Sequence, residues 1–111
     1  MEIEERLEDG LRIVRVLGRL DSLTAPVLDQ FLGDLIGAGD HLILDLSKLD
    51  YISSAGLRVV LKVAKRLHAS QGDLVLCGIE GVILEIFAVS GFLNFLRVEK
   101  NLSKAKSALK N

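Results

Sequence analysis

Two short runs of the chain, HLILDL (41–46) and LVLCG (74–78), are almost wholly apolar, and each soon gives way to a stretch with helical spacing. A strand that is apolar at nearly every position is one covered on both faces. Strands that alternate with helices pair in parallel through right-handed crossovers. The two runs therefore demand a layered α/β domain, with helices on its sheet.

The flanking segments fill in that plan. Residues 2–8 and 11–20 read as two strands joined by Asp9-Gly10, a strong hairpin signal. Val14, Val16 and Leu20 share one face of the second strand, with Gly18 between them. In DSLTAPVLDQFLGDLIGAGD, Ser22 or Thr24 can cap a helix, and Pro26 suits its first turn. Leu28, Phe31, Leu32, Leu35 and Ile36 recur at helical spacing until Gly37 and Gly39 stop it. A second helix starts near Ser54, with Leu57, Val60, Leu61, Ala64 and Leu67 as its buried stripe; Arg58, Lys62, Lys65 and Arg66 lie outside it. Gln71-Gly72-Asp73 breaks this helix. Residues 82–91 read as a short helix ending at Gly91, 95–98 as a last strand, and 101–110 as a terminal helix with Leu102, Ala105 and Leu109 inward. The expectation is one domain over residues 1–111: an antiparallel hairpin leading into a mixed, mostly parallel sheet of four or five strands, with about four helices.

Composition narrows the function. A chain of 111 residues buries roughly 65% of its unfolded surface, enough for one core without staples. Fourteen basic residues against fifteen acidic ones leave no basic excess for nucleic acid. The single Cys77 cannot form an internal disulfide or build a metal site alone, and in an apolar strand it reads as an inert core thiol. The opening MEIEERLEDG is acidic and mixed rather than a leader, and no apolar run approaches the ~20 residues of a membrane span. A soluble cytoplasmic protein is expected.

Catalytic constellations fail on geometry. A serine nucleophile needs a base within about 3 Å. His68 lies fourteen residues beyond Ser54 on the same helix, roughly 20 Å away at ~1.5 Å per residue. His41 begins the strand that leads toward Ser54, about 17 Å off. No phosphate-binding glycine motif occurs. Asp21, Asp45 and Asp50 fall near strand ends and could hold a cation, but turn and cap chemistry is the favoured reading. No metal, cofactor or enzymatic activity is expected.

One feature remains without an assignment. Ser53 and Ser54 stand side by side at the mouth of the second helix, where one hydroxyl is enough for a cap. A phosphate there, with a charge of about −1.5 to −2, is tolerated by the helix dipole and changes the surface without disturbing the fold.

The segment ILDLSKLDYISSAGLRVVL resembles the signature of the STAS domain of bacterial anti-sigma-factor antagonists: an apolar strand, Asp, several residues, then Asp-Ser-Ser/Thr-Gly-Leu. GRLDSLTAPVLDQFL resembles the family's second hallmark, a Gly-x-Leu/Ile-Asp segment running into the first helix. The order of elements matches from residue 2 to about 109. By position, Ser54 matches the family's phosphorylated serine, Gly56 and Leu57 the Gly-Leu that follows it, and Asp21 the acidic residue of the neighbouring loop. Two positions depart: Ser53 replaces the family's Asp, and Ala55 its second Ser/Thr.

The resemblance implies a STAS-like sandwich and a mechanism of partner switching. Unmodified protein would bind an anti-sigma factor, itself an ATP-dependent serine kinase, and free a sigma factor. Phosphorylation of Ser54 would break that complex, and a phosphatase would restore it. ATP and magnesium would belong to the kinase. Asp21, Ser22, Thr24, Ser53, Ser54, Gly56, Leu57 and Arg58 would form the partner surface, with Ser53 the better cap. Two rival readings are a STAS module of another assembly, such as a signalling scaffold or lipid-transport complex, and a small-ligand sensor or enzyme.

Overall fold

A computed structural model describes residues 1–110 of the chain. Strands β1 (Glu2–Glu8) and β2 (Leu11–Leu20) form the hairpin, turning at Asp9 and Gly10, both at positive φ. Helix α1 (Ala25–Leu35) follows, then β3 (His41–Asp45), β4 (Leu49–Ile52), α2 (Ser54–Ala69), β5 (Asp73–Cys77), α3 (Gly81–Ser90), a 3-10 turn (Phe92–Phe95), β6 (Arg97–Glu99) and α4 (Leu102–Lys110). The sheet runs β1-β2-β3-β5-β6, with β1 antiparallel to β2 and the other pairings parallel.

The sheet has six strands rather than four or five, because β4 joins it beside β2. Arg12 to Arg15 of β2 pair with β3, while Gly18 to Leu20 pair with β4. Register shifts between Gly18 and Arg19, and Gly18 sits at φ +90°, a conformation that favours glycine. One long strand thus serves two short ones. β4 escapes period-two reading because only its end residues, Leu49 and Ile52, are buried.

Alternation along the central strands sends side chains to two cores. Val14, Val16, Leu42, Leu44, Leu74 and Leu76 meet Leu28 and Leu32 of α1, Val60 and Leu67 of α2, and Phe87 of α3. Leu11, Ile13, Ile43, Val75 and Cys77 face the opposite way, where Ala105 of α4 covers them with Leu102 and Leu109. Both apolar runs are therefore covered on both sides, as their composition requires.

The stripe of α2 is rotated from its expected position. Gly56, Leu57, Val59, Val60, Val63 and Leu67 are buried, whereas Leu61 is half-buried at the rim and Ala64 is partly covered. The cause is α1, which packs beside α2 and draws Val59 and Val63 into the core. The helix ends where Gln71 turns to φ +69° and the Gly72 amide donates to the Leu67 carbonyl at 2.8 Å.

Candidate functional site

The end of β2 and the end of β4 lie side by side, and each leads into a helix. Leu20 pairs with Ile52, and the Ser53 amide donates to the Leu20 carbonyl at 2.9 Å. This bond fixes Asp21 and Ser22 beside Ser53 and Ser54. The two loops are neighbours because their strands are.

Ser53 is the cap of α2: its backbone is extended (φ −94°, ψ 173°) and its hydroxyl accepts from the Gly56 amide at 3.3 Å. Ser54 is the first helical residue and is exposed, with its hydroxyl outside the cap bond. The pair therefore divides its work, one serine closing the helix and the other presenting a free surface position.

Gly56 seats the helix. A Cβ there would lie 2.8 Å from Leu20 Cγ and 2.9 Å from Ile52 Cγ1, so only a residue without a side chain lets α2 rest on β2 and β4. Gly56 and Leu57 are both buried. They belong to the support of the surface rather than to the surface itself, because the period of the helix turns them toward the sheet.

The neighbouring loop is braced by Asp21. Its Oδ1 accepts from the amides of Leu23 at 3.0 Å and Thr24 at 3.1 Å, and its own amide donates to Thr24 Oγ1 at 2.8 Å. The single hydroxyl proton of Thr24 has two acceptors in reach, the Arg19 carbonyl at 2.9 Å and Asp21 Oδ1 at 3.1 Å. Neither Ser22 nor Thr24 caps α1 through its side chain; the Asp21 carboxylate takes the Thr24 amide instead. That amide, then the Leu23 amide, the Thr24 hydroxyl and the Arg19 charge, hold the Asp21 pKa below the ordinary carboxylate value. Asp21 stays ionised and its turn stays closed.

Between α1 and α2 runs a shallow groove lined by Ser22, Ala25, Pro26 and Asp29 on one side and Ala55, Arg58, Val59 and Lys62 on the other. Lys62 Nζ spans it to Asp29 Oδ2 at 2.9 Å. On the loop and first turn that follow β2, Leu23 and Val27 are 83% and 57% exposed. Arg19 lies over the Tyr51 ring, 4.4 Å from its centroid, and 4.0 Å from Asp21. Sequence reasoning brought together Asp21, Ser22, Thr24, Ser53, Ser54 and Arg58 but missed Leu23, Val27, Arg19 and Tyr51. An apolar Leu within the polar turn DSLT was the available signal; the Arg19–Tyr51 contact needs the β2–β4 pairing and had none.

The other chemistry resolves into structure. Asp45 is buried, accepting from Arg15 Nε at 3.1 Å and from the Ser47 amide at 3.0 Å. Asp50 is exposed. Among the described residues no group of three or more His, Cys, Asp or Glu side chains could hold a metal ion. Burial, with Asp45 nearby, pushes the Cys77 thiol up to about 12, so it remains protonated at neutral pH. No helix among the described residues is long and apolar enough to cross a membrane.

The two motifs thus meet where the paired ends of β2 and β4 lead into their helices. A family model described as the STAS domain matches residues 2–105. The chain belongs to the STAS domain family. It is 44% identical over 103 residues to a Bordetella bronchiseptica protein named "Putative anti-sigma factor antagonist BtrV", covering 92% of this chain and 89% of that one. It is 31% identical over 100 residues to the anti-sigma-B factor antagonist of Listeria monocytogenes, covering 89% and 87%. In fold it is similar to the crystal structure of an anti-sigma factor antagonist from Mycobacterium paratuberculosis, with TM-score 0.90, 22% identity and coverage of 99% and 94%.

Proposed function

We propose that this STAS domain is an anti-sigma-factor antagonist. It acts in the cytoplasm by binding rather than catalysis, and its partner is an anti-sigma factor that is also a serine kinase. In the unmodified state it occupies that partner and frees a sigma factor. The kinase moves the γ-phosphoryl group of ATP to Ser54 Oγ; ADP leaves and the serine proton passes to a base of the kinase. A phosphatase reverses the modification.

The observation that carries this reading is the division of labour at the head of α2. Ser53 alone makes the cap, so Ser54 is exposed and can change chemically without loss of the helix. In support, Ser22 and Arg58 line the neighbouring groove, Asp21 follows the β2 end that pairs with β4, and Leu23 and Val27 leave apolar surface exposed on the loop and first turn that follow. The relatives named for anti-sigma antagonism support the choice of partner.

The test is a titration of the cognate kinase with three variants. Ser54→Asp places a carboxylate in the contact and should weaken binding at least tenfold, about 1.4 kcal/mol or more. Ser54→Ala should bind nearly as well as the parent while incorporating no phosphate. Ser53→Ala should still be modified. Phosphate mapped by mass spectrometry to Ser53, or to neither serine, refutes the assignment.

A further inference from the structure

We propose that Arg58 pairs with the phosphate carried by Ser54, so that modification withdraws a cation from the partner surface at the same time as it adds an anion. The inference rests on Ser54 as the phosphate acceptor and adds the residue that receives the new charge.

Ser54 and Arg58 are four residues apart on α2 and both are exposed. At that spacing two side chains lie over one another, their Cβ atoms about 5–6 Å apart, with the anion on the N-terminal side as the helix dipole favours. A guanidinium can donate two parallel hydrogen bonds to phosphate oxygens, which makes the pair stronger than a point-charge contact.

The neighbouring cations are already engaged. Lys62, one turn further along, is held by Asp29 at 2.9 Å. Arg19 rests on Tyr51 beside Asp21. Arg66 donates to the carbonyls of Gly33 at 3.5 Å and Ile36 at 3.3 Å. Arg58 has no carboxylate partner among the described residues, and the first turn of α2 carries no acidic residue. A phosphate on Ser54 is thus the first anion offered to it. The cap bond leaves the site undisturbed, because the Gly56 amide belongs to Ser53.

The consequence is a change of sign. Unmodified, the mouth of the groove offers Arg58 to a carboxylate or carbonyl of the partner. Modified, the guanidinium is turned back along its own helix and the net charge around Ser54 becomes negative.

The experiment uses full-length protein with phosphoserine placed at position 54 during synthesis, so that pairing is measured without the kinase. Four forms are compared by denaturant unfolding: parent and Arg58→Gln, each with and without phosphate. Unphosphorylated Arg58→Gln should unfold like the parent. With phosphate, the folding equilibrium of the parent should exceed that of Arg58→Gln by about fivefold, and Arg58→Lys should recover part of the difference. In the same samples the Arg58 Nε–H signal should exchange with water at least tenfold more slowly once phosphate is present. An equal effect of phosphate in parent and Arg58→Gln, with an unchanged Arg58 signal, overturns the pairing. Incubation with the cognate kinase examines the underlying reading separately: no phosphate on Ser54 removes the role of the pair even where the coupling is measured.

Discussion

Helices α2 and α3 begin at the same end of the sheet, each just beyond the C-terminal end of a parallel strand, yet they are built on opposite terms. α2 has sixteen residues, a side-chain cap and an outer face of Arg58, Lys62, Lys65 and Arg66. α3 has ten residues, and its Glu80 cap position makes no side-chain bond. It buries only Ile83 and Phe87 and leaves Val82, Leu84 and Val89 to solvent, Val89 at 89%. The same topological position is therefore held by a cap and a long buried stripe in one case and by two anchors in the other. What differs is how firmly the first turn is defined, and the proposed switch stands on the helix whose first turn is closed.

The contrast breaks first at the anchors. Phe87→Ala removes the largest fully buried side chain among the described residues and should cost about 3–5 kcal/mol in denaturant unfolding, whereas Val89→Ser on the same helix should change stability by less than about 0.5 kcal/mol. A comparable loss from both would mean that α3 is held by its whole length.

A smaller effect separates the two first turns. Ser53→Ala should lower stability by about 1 kcal/mol through loss of the cap, while Glu80→Ser places a cap on an already extended backbone and should raise it by about 0.5 kcal/mol or more. Amide exchange in the first turn of each helix would move in opposite directions. Exchange unaltered by either change would show that the caps do not distinguish the helices.

The smallest effect is one of pH at the loop beside Ser54. The Asp21 carboxyl is held below its usual value of 3.8, so the folded loop is favoured above that pH and loses this support as pH falls through the depressed value. A carboxyl titration followed by NMR should place the Asp21 midpoint below 3.8, with the Leu23 and Thr24 amides losing protection over the same range. A midpoint at or above 3.8 would detach the loop geometry from the charge.

Much of this architecture is written in residue spacing. The hairpin at Asp9-Gly10, the two-sided burial of 41–46 and 74–78, and the inward Leu102, Ala105 and Leu109 follow from period and turn chemistry, which are local. What escaped was set by neighbours distant in sequence. β4 exists because Gly18 bends β2 so that its last three residues can pair again. Val59 and Val63 are buried because α1 lies against α2, which leaves Leu61 at the rim. At the candidate site the serine pair was legible through motif and cap chemistry. The close seating of Gly56 and the stacking of Arg19 on Tyr51 required the paired ends of β2 and β4, whereas the inward Leu57 and the turn chemistry of Asp21 are local.

The close seating of Gly56 against Leu20 and Ile52 reaches beyond packing. Backbone this tightly placed has little room to shift when an exposed neighbour acquires a phosphate. Under the proposed switch the molecule would work as a label and not as a lever: its message would be a change of surface chemistry on a stationary frame. A partner would then read the two forms by direct contact, without waiting for a slow rearrangement. Exchange between partners would accordingly be governed by encounter and dissociation, and changes at this surface should appear chiefly in how long a complex lasts.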